Sequence, residues 1–204
     1  MPGRQLIMSF PVTATSHALP NYRARGGYGA LAKTLGQMKP QDVVKEITAS
    51  GLQGRGGAAF AVGRKWQVVQ YDDGQPHYLI ANADEGEPGT FKDRWILENN
   101  PHVLLESMLI ASYALNVRNC FVYIRGEFDL PYRRLADAVE EAYAAGLFGK
   151  NVLGSDFSCD IVRAVISRTI ALSMQSEIAA SRPKRLGSPG TTSQAELDWI
   201  KAKA

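Results

Sequence analysis

Residues 78–94 read YLIANADEGEPGTFKDR, and the fold turns on how this stretch changes character along its length. Tyr78, Leu79, Ile80 and Ala81 form a short apolar run suited to a buried strand. Asn82 opens a polar cluster with Asp84, Glu85 and Glu87, which closes with Pro88-Gly89 and returns to charge at Lys92, Asp93 and Arg94. A strand that delivers polar side chains at its carboxyl end is how open α/β sheets present ligand sites. Few packed cores need such a cluster.

The stretch just upstream, residues 54–66 (GRGGAAFAVGRKW), carries Gly54, Gly56, Gly57 and Gly63 together with Arg55, Arg64 and Lys65. Runs of glycine serve unusual dihedrals or the close approach of a ligand. Successive amide N–H groups in such a turn form an anion nest, and basic side chains beside it neutralise phosphate. Chemistry alone therefore points to a phosphate-bearing cofactor held by the glycine stretch and oriented by the acidic one. The plain alternative is a flexible glycine turn followed by a solvated acidic turn. GRGG fits neither GxGxxG nor GxxxxGK[ST] and follows a helix, so the usual dinucleotide fingerprint and the Walker loop are both absent.

Toward the C-terminus, Asn100 is the expected N-cap and Pro101 the first residue of a largely apolar helix over 103–117. Residues 120–124 (CFVYI) read as a strand with Arg125, Gly126 and Glu127 at its end. Residues 130–147 read as an amphipathic helix, with Leu135, Val139 and Tyr143 every four residues and Gly146 and Gly149 as its stop. Strand, helix, strand, helix in this order predicts right-handed parallel crossovers in a layered α/β domain over about 78–160. Toward the N-terminus, residues 66–70 read as a short strand before the Asp72-Asp73-Gly74 turn. A helix opens at Pro40, with Asp42 in its first turn and an apolar stripe of Val43, Val44 and Ile47, and ends at Ala49-Ser50-Gly51. Residues 29–38 suit a short helix with Leu31 and Leu35 on one side. Residues 22–28 (YRARGGY) are a second basic, glycine-containing segment, and 1–21 read as an extended arm.

An apolar fraction of 45% over 204 residues is that of an ordinary globular chain. The most apolar region, 103–124, contains Glu106, Asn116, Arg118 and Asn119, which excludes a single membrane span there. The net charge of +3 is uneven: residues 1–160 carry 16 basic and 17 acidic side chains, residues 161–204 carry 7 and 3. A basic tail on a balanced body argues against a nucleic-acid footprint across the domain. Cys120 and Cys159, with no CxxC, leave this chain short of a zinc or iron–sulfur ligand set, so no metal is expected. Two buried thiols in a reducing compartment are the expectation, a disulfide the alternative.

The segments YRARGGY, SGLQGRGGAAF with GRKW, NADEGEPGTFKDR, PHVLLESMLIASYAL and YIRGEF together resemble the FMN- and NADH-binding flavoprotein subunit of respiratory NADH:quinone oxidoreductase, the 51 kDa type of complex I. Related modules occur in NAD-linked hydrogenases and formate dehydrogenases. The resemblance covers about residues 22–160 and implies a modified Rossmann-like FMN-binding domain, an α/β fold with a mostly parallel sheet and flanking helices, here truncated. It implies that Gly54, Arg55, Gly56 and Gly57 wrap FMN, with Lys65 toward its phosphate. Asn82, Asp84 and Glu85 would lie beside the flavin ring and ribityl chain, Glu87 would hold the nicotinamide end of NADH, and Phe60 would offer a platform to adenine. Core packing is the other reading of Phe60. No acid–base catalytic residue is implied, because hydride transfer is a matter of orientation.

Three departures bear on that pocket. Ala59 replaces a family glycine, Ala61 a proline, and Val68 a common aromatic. The family continues beyond residue 160 with a segment ending YICGEE, an Asn-Asn-Thr flavin contact, a ubiquitin-like domain and a helical domain with the cysteines of a [4Fe–4S] cluster. None is found in residues 161–204, which are expected to be a divergent basic tail, not native continuation, from a frameshift or a misassembled gene end. The domain reading is thus an arm with helices over 1–50, a partial FMN/NADH domain over 51–160, and the tail. The resemblance implies partner subunits of a complex I-like, hydrogenase or formate dehydrogenase assembly. It also implies a cytoplasmic place, peripheral to the inner membrane through those partners, with no nucleic acid and no direct membrane insertion. A non-catalytic remnant or assembly protein, and an unrelated anion- or nucleotide-binding α/β module, are the competing readings.

Overall fold

The computed structural model describes residues 7–69 and 73–162. The expected tail therefore lies outside the described residues, apart from Ile161 and Val162. Three parallel strands, β1 (Tyr78–Ala83), β2 (Asn119–Ile124) and β3 (Asp160–Val162), form a sheet in chain order. Leu79, Ala81 and Ala83 stand opposite Cys120, Val122 and Ile124 in register. All six point toward the core made with the helices that cross between the strands. The helices before the sheet are α1 (Leu19–Ala24), α2 (Gly29–Gln37), α3 (Pro40–Ala49) and α4 (Val62–Gln67). Those after β1 are α5 (Lys92–Asn99), α6 (Pro101–Ala114) and α7 (Asp129–Ala144). This is the α/β architecture with a parallel sheet and flanking helices that the strand–helix alternation implied.

Helix stops follow the chain's own signals. In α1, α6 and α7 the two amides after the C-cap donate back to the last turn: Gly26 to Arg23 and Gly27 to Tyr22, Asn116 to Tyr113 and Val117 to Ser112, Gly146 to Tyr143 and Leu147 to Ala142. This is the Schellman arrangement, and the residue it requires in left-handed conformation is Gly26, Asn116 or Gly146.

Four expectations need correction. Residues 66–69 are not a strand; α4 runs through Gln67, and Trp66 and Val69 pack with Val43, Leu115 and Val117. The close approach is set by Gly63, where a Cβ would lie 2.5 Å from the Thr48 Cα. β1 is not buried on both faces: Tyr78 and Ile80 are 37% and 45% exposed, on the sheet face away from the helices. α5 was not anticipated; the first helix expected after β1 was the one opening at Pro101. The arm expected over 1–21 is not extended throughout, since α1 begins at Leu19. Asn100 and Pro101 do stand at the N-cap and first position of α6 as expected, but the Asn100 side chain makes no cap hydrogen bond: its Nδ2 donates to the Ile7 carbonyl at 2.8 Å, and its buried Oδ1 has no partner among the described residues.

Candidate cofactor site

The glycine loop is closed at its base. Val62 N–H donates to the Leu52 carbonyl and Gly54 N–H to the Phe60 carbonyl, both at 2.9 Å, so residues 54–60 project as one turn between α3 and α4. Gly57 has φ of 106°, which favours glycine strongly. Ala59 has φ of 49°, a left-handed conformation that an L side chain adopts at a penalty. Gly54 is half-buried, Arg55, Gly56 and Gly57 are exposed, and Phe60 is 57% exposed. Phe60 is therefore not a core residue. Lys65 lies on the last turn of α4, exposed; neither it nor Arg55 makes an ion pair among the described residues.

The acidic stretch begins at the carboxyl end of β1. Asn82 Oδ1 accepts the Asp84 amide at 2.9 Å, folding the chain sharply as it leaves the sheet. Asp84 is exposed, with its carboxylate 3.5 Å from the Arg125 Nε. Glu85 turns inward: it is 6% exposed and accepts the amides of Asp93 at 3.0 and 3.1 Å and Arg94 at 3.1 Å. It thus serves the start of α5, where free N–H groups and the helix dipole favour a carboxylate. Glu87 sits in a turn whose carbonyl accepts Thr90 N–H and Oγ–H, at 3.2 and 2.7 Å. Its carboxylate is exposed and has no partner among the described residues.

Asn82, Asp84, Glu85 and Glu87 are thus gathered at one end of β1, and Gly54, Arg55, Gly56, Gly57 and Phe60 in one loop. The two groups are connected through a shared apolar cluster, to which Trp66 contributes from α4 and Leu79 from β1. No hydrogen bond or ion pair among the described residues joins loop 54–60 directly to loop 84–91. Sequence reasoning missed Arg125, whose guanidinium reaches the acidic loop from the end of β2. Its signal was position, one residue past the strand that pairs with β1.

The family model of the Nuo51 FMN-binding domain matches residues 47–180. The chain belongs to this family. The match contains both stretches of the candidate site and extends to residue 180, beyond the end of the described residues. An NADH-quinone oxidoreductase subunit of Rhizobium meliloti (strain 1021) is 48% identical over 142 residues, 70% of this chain and 34% of the relative. The NADH-quinone oxidoreductase subunit of the same type in Streptomyces coelicolor is 51% identical over 140 residues, 69% of this chain and 31% of the relative. The chain therefore spans about a third of the length of the curated relatives it matches. Among solved structures, the NAD+-reducing [NiFe]-hydrogenase in the air-oxidized state superimposes with a TM-score of 0.52 at 28% identity, over 75% of this chain and 24% of that one. Among the described residues of this Nuo51-family chain, no group of three or more His, Cys, Asp or Glu side chains could hold a metal, and no helix is long and apolar enough to cross a membrane.

Proposed function

We propose that this chain is the FMN- and NADH-binding part of an NADH dehydrogenase flavoprotein that works within a complex I-like or NAD-linked hydrogenase or formate dehydrogenase assembly. The observation that carries the reading is the closed glycine loop at 54–60, flanked by two cations that pair with nothing among the described residues. A glycine turn with positive φ at Gly57 and Ala59, with the exposed cations Arg55 in it and Lys65 on the helix that follows, suits a phosphate monoester. FMN bound there would supply the acceptor for a hydride from NADH. Asn82 and Asp84 would hold flavin and ribityl polar groups, Glu87 would accept from nucleotide hydroxyls or the carboxamide, and Phe60 would stack on adenine. Glu85 would act through the loop it anchors.

On this reading electrons would pass onward through a [4Fe–4S] cluster and partner subunits; this chain's two cysteines, Cys120 and Cys159, do not make up a cluster's ligand set. A non-catalytic remnant that keeps the fold is favoured by one observation, the strained Ala59 in the cofactor loop. Visible flavin absorption of the purified chain, followed by titration with FMN and riboflavin, separates the two. FMN is expected to bind at least tenfold more tightly than riboflavin, and Lys65→Ala to remove most of that difference. Equal affinities for the two flavins would overturn the phosphate-based site.

A further inference from the structure

The loop between β1 and α5, residues 84–91, has no regular structure and is almost wholly exposed. Arg125 reaches it from the first position after β2, placed beside the loop because Ile124 pairs with Ala83 in the parallel register. Its Nη1–H donates to the Glu85 carbonyl at 2.8 Å, its Nε lies 3.5 Å from an Asp84 carboxylate oxygen, and its Nη2–H donates to Glu127 at 3.3 Å. The guanidinium carbon stands 5.8 Å from the Phe128 ring centroid, so the fork is also backed by an aromatic face. Asp84, just past β1, and Glu127, just past β2, both lie within ion-pair distance of Arg125, which is the cation between them. Glu85 meanwhile fastens the far side of the loop to the α5 amides.

We propose that Arg125 is a positioning residue. It holds the Glu85 backbone and the Asp84 carboxylate, and through them fixes the turn that carries Glu87, so that the loop meets a nucleotide cofactor in one arrangement. The cofactor clause rests on the reading under Proposed function; the ordering of the loop does not. A single-point cation could not replace the fork, since the carbonyl and the two carboxylates are reached by different nitrogens.

The test uses the full chain without added cofactor. Amide hydrogen exchange is measured on wild type, Arg125→Gln, Arg125→Lys and the surface control Arg133→Gln, followed by FMN titration of each. Arg125→Gln should speed exchange about tenfold at the hydrogen-bonded amides of Thr90, Asp93 and Arg94, leave residues 120–123 and the unfolding midpoint unchanged, and weaken FMN about tenfold. Arg125→Lys should recover part of both effects, and Arg133→Gln should change neither. Unaltered exchange at Thr90, Asp93 and Arg94, or a rise that spreads equally through β2, would overturn the proposal. Local loosening with no FMN bound by any variant would sustain the role of Arg125 and sink the flavin reading instead.

Discussion

At the scale of single residues, backbone conformation separates glycines that serve packing from those that serve a loop. Gly27 and Gly63 are packing residues: a Cβ at Gly27 would fall 2.1 Å from a Tyr22 ring carbon, and one at Gly63 would meet Thr48. In loop 54–60 the distinction is sharper, because Gly57 uses a left-handed φ with open space around it and Ala59 uses one with a methyl attached. Left-handed backbone costs an L-residue about 1–2 kcal/mol, while glycine loses about 0.5–1 kcal/mol more entropy on ordering. Ala59→Gly is therefore expected to raise stability by about 0.5 kcal/mol net, and Gly57→Ala to lower it, both read by urea denaturation. A destabilising Ala59→Gly would show that the alanine conformation is not strained in solution. The sequence departure at position 59 was visible beforehand, but its sign was not, since φ depends on how the loop closes.

At the scale of elements, the YRARGGY segment proves to be a tie between the N-terminal helices and α6. The Glu106 carboxylate, 7% exposed, accepts Tyr22 O–H at 2.5 Å, Tyr28 N–H at 2.8 Å and Leu31 N–H at 3.0 Å. In the sequence Glu106 was no more than an interruption in an apolar helix, because its partners lie 75 to 84 residues away. Replacement by Gln turns one acceptor into a donor facing donors, so Glu106→Gln is expected to cost about 2–4 kcal/mol, and Tyr22→Phe less. A loss under about 1 kcal/mol for Glu106→Gln would show the tie to be dispensable. His102 lies beside it, fully buried, with Nδ1 2.9 Å from Tyr28 Oη and Nε2 3.0 Å from Glu141. Burial lowers its pKa from the ordinary range, with Glu141 opposing and burial prevailing. The folded state thus disfavours the proton that the unfolded chain takes up near pH 6.5. Stability is full above about pH 6.5 and declines as pH falls toward the lowered folded value. Thermal midpoints between about pH 7.5 and 5.5 should fall in wild type and fall less steeply in His102→Gln; parallel curves would exclude His102 as the titrating group.

At the scale of the whole molecule, element type was legible wherever local pattern and packing agreed: Pro40 and Pro101 open helices, Gly146 closes one, and CFVYI is a strand. It failed where a long-range partner decided the outcome. Glu85 starts α5 from eight residues upstream, Thr48 receives α4, and sheet order determines which side of β1 is covered. Strands added in chain order by right-handed crossovers place their helices on one face. The other face, with Tyr78, Ile80 and Asn82 opposite Asn119, Phe121 and Tyr123, has none of α5, α6 or α7 on it. One comparison weighs the two faces with the same chemistry. Ile124 is fully buried on the helix side, and Ile80 is 45% exposed on the other. Removing a buried Ile side chain to Ala costs about 2–5 kcal/mol because apolar contact is lost and a cavity remains. A half-exposed one has neither loss in full, and about 1 kcal/mol is expected. Urea denaturation of Ile124→Ala and Ile80→Ala in the full chain should therefore show a gap of at least about 1 kcal/mol. Equal costs would mean that the face carrying Ile80 is covered in solution, and dependence of the Ile80→Ala midpoint on protein concentration would then assign that cover to a second copy, not to the same chain.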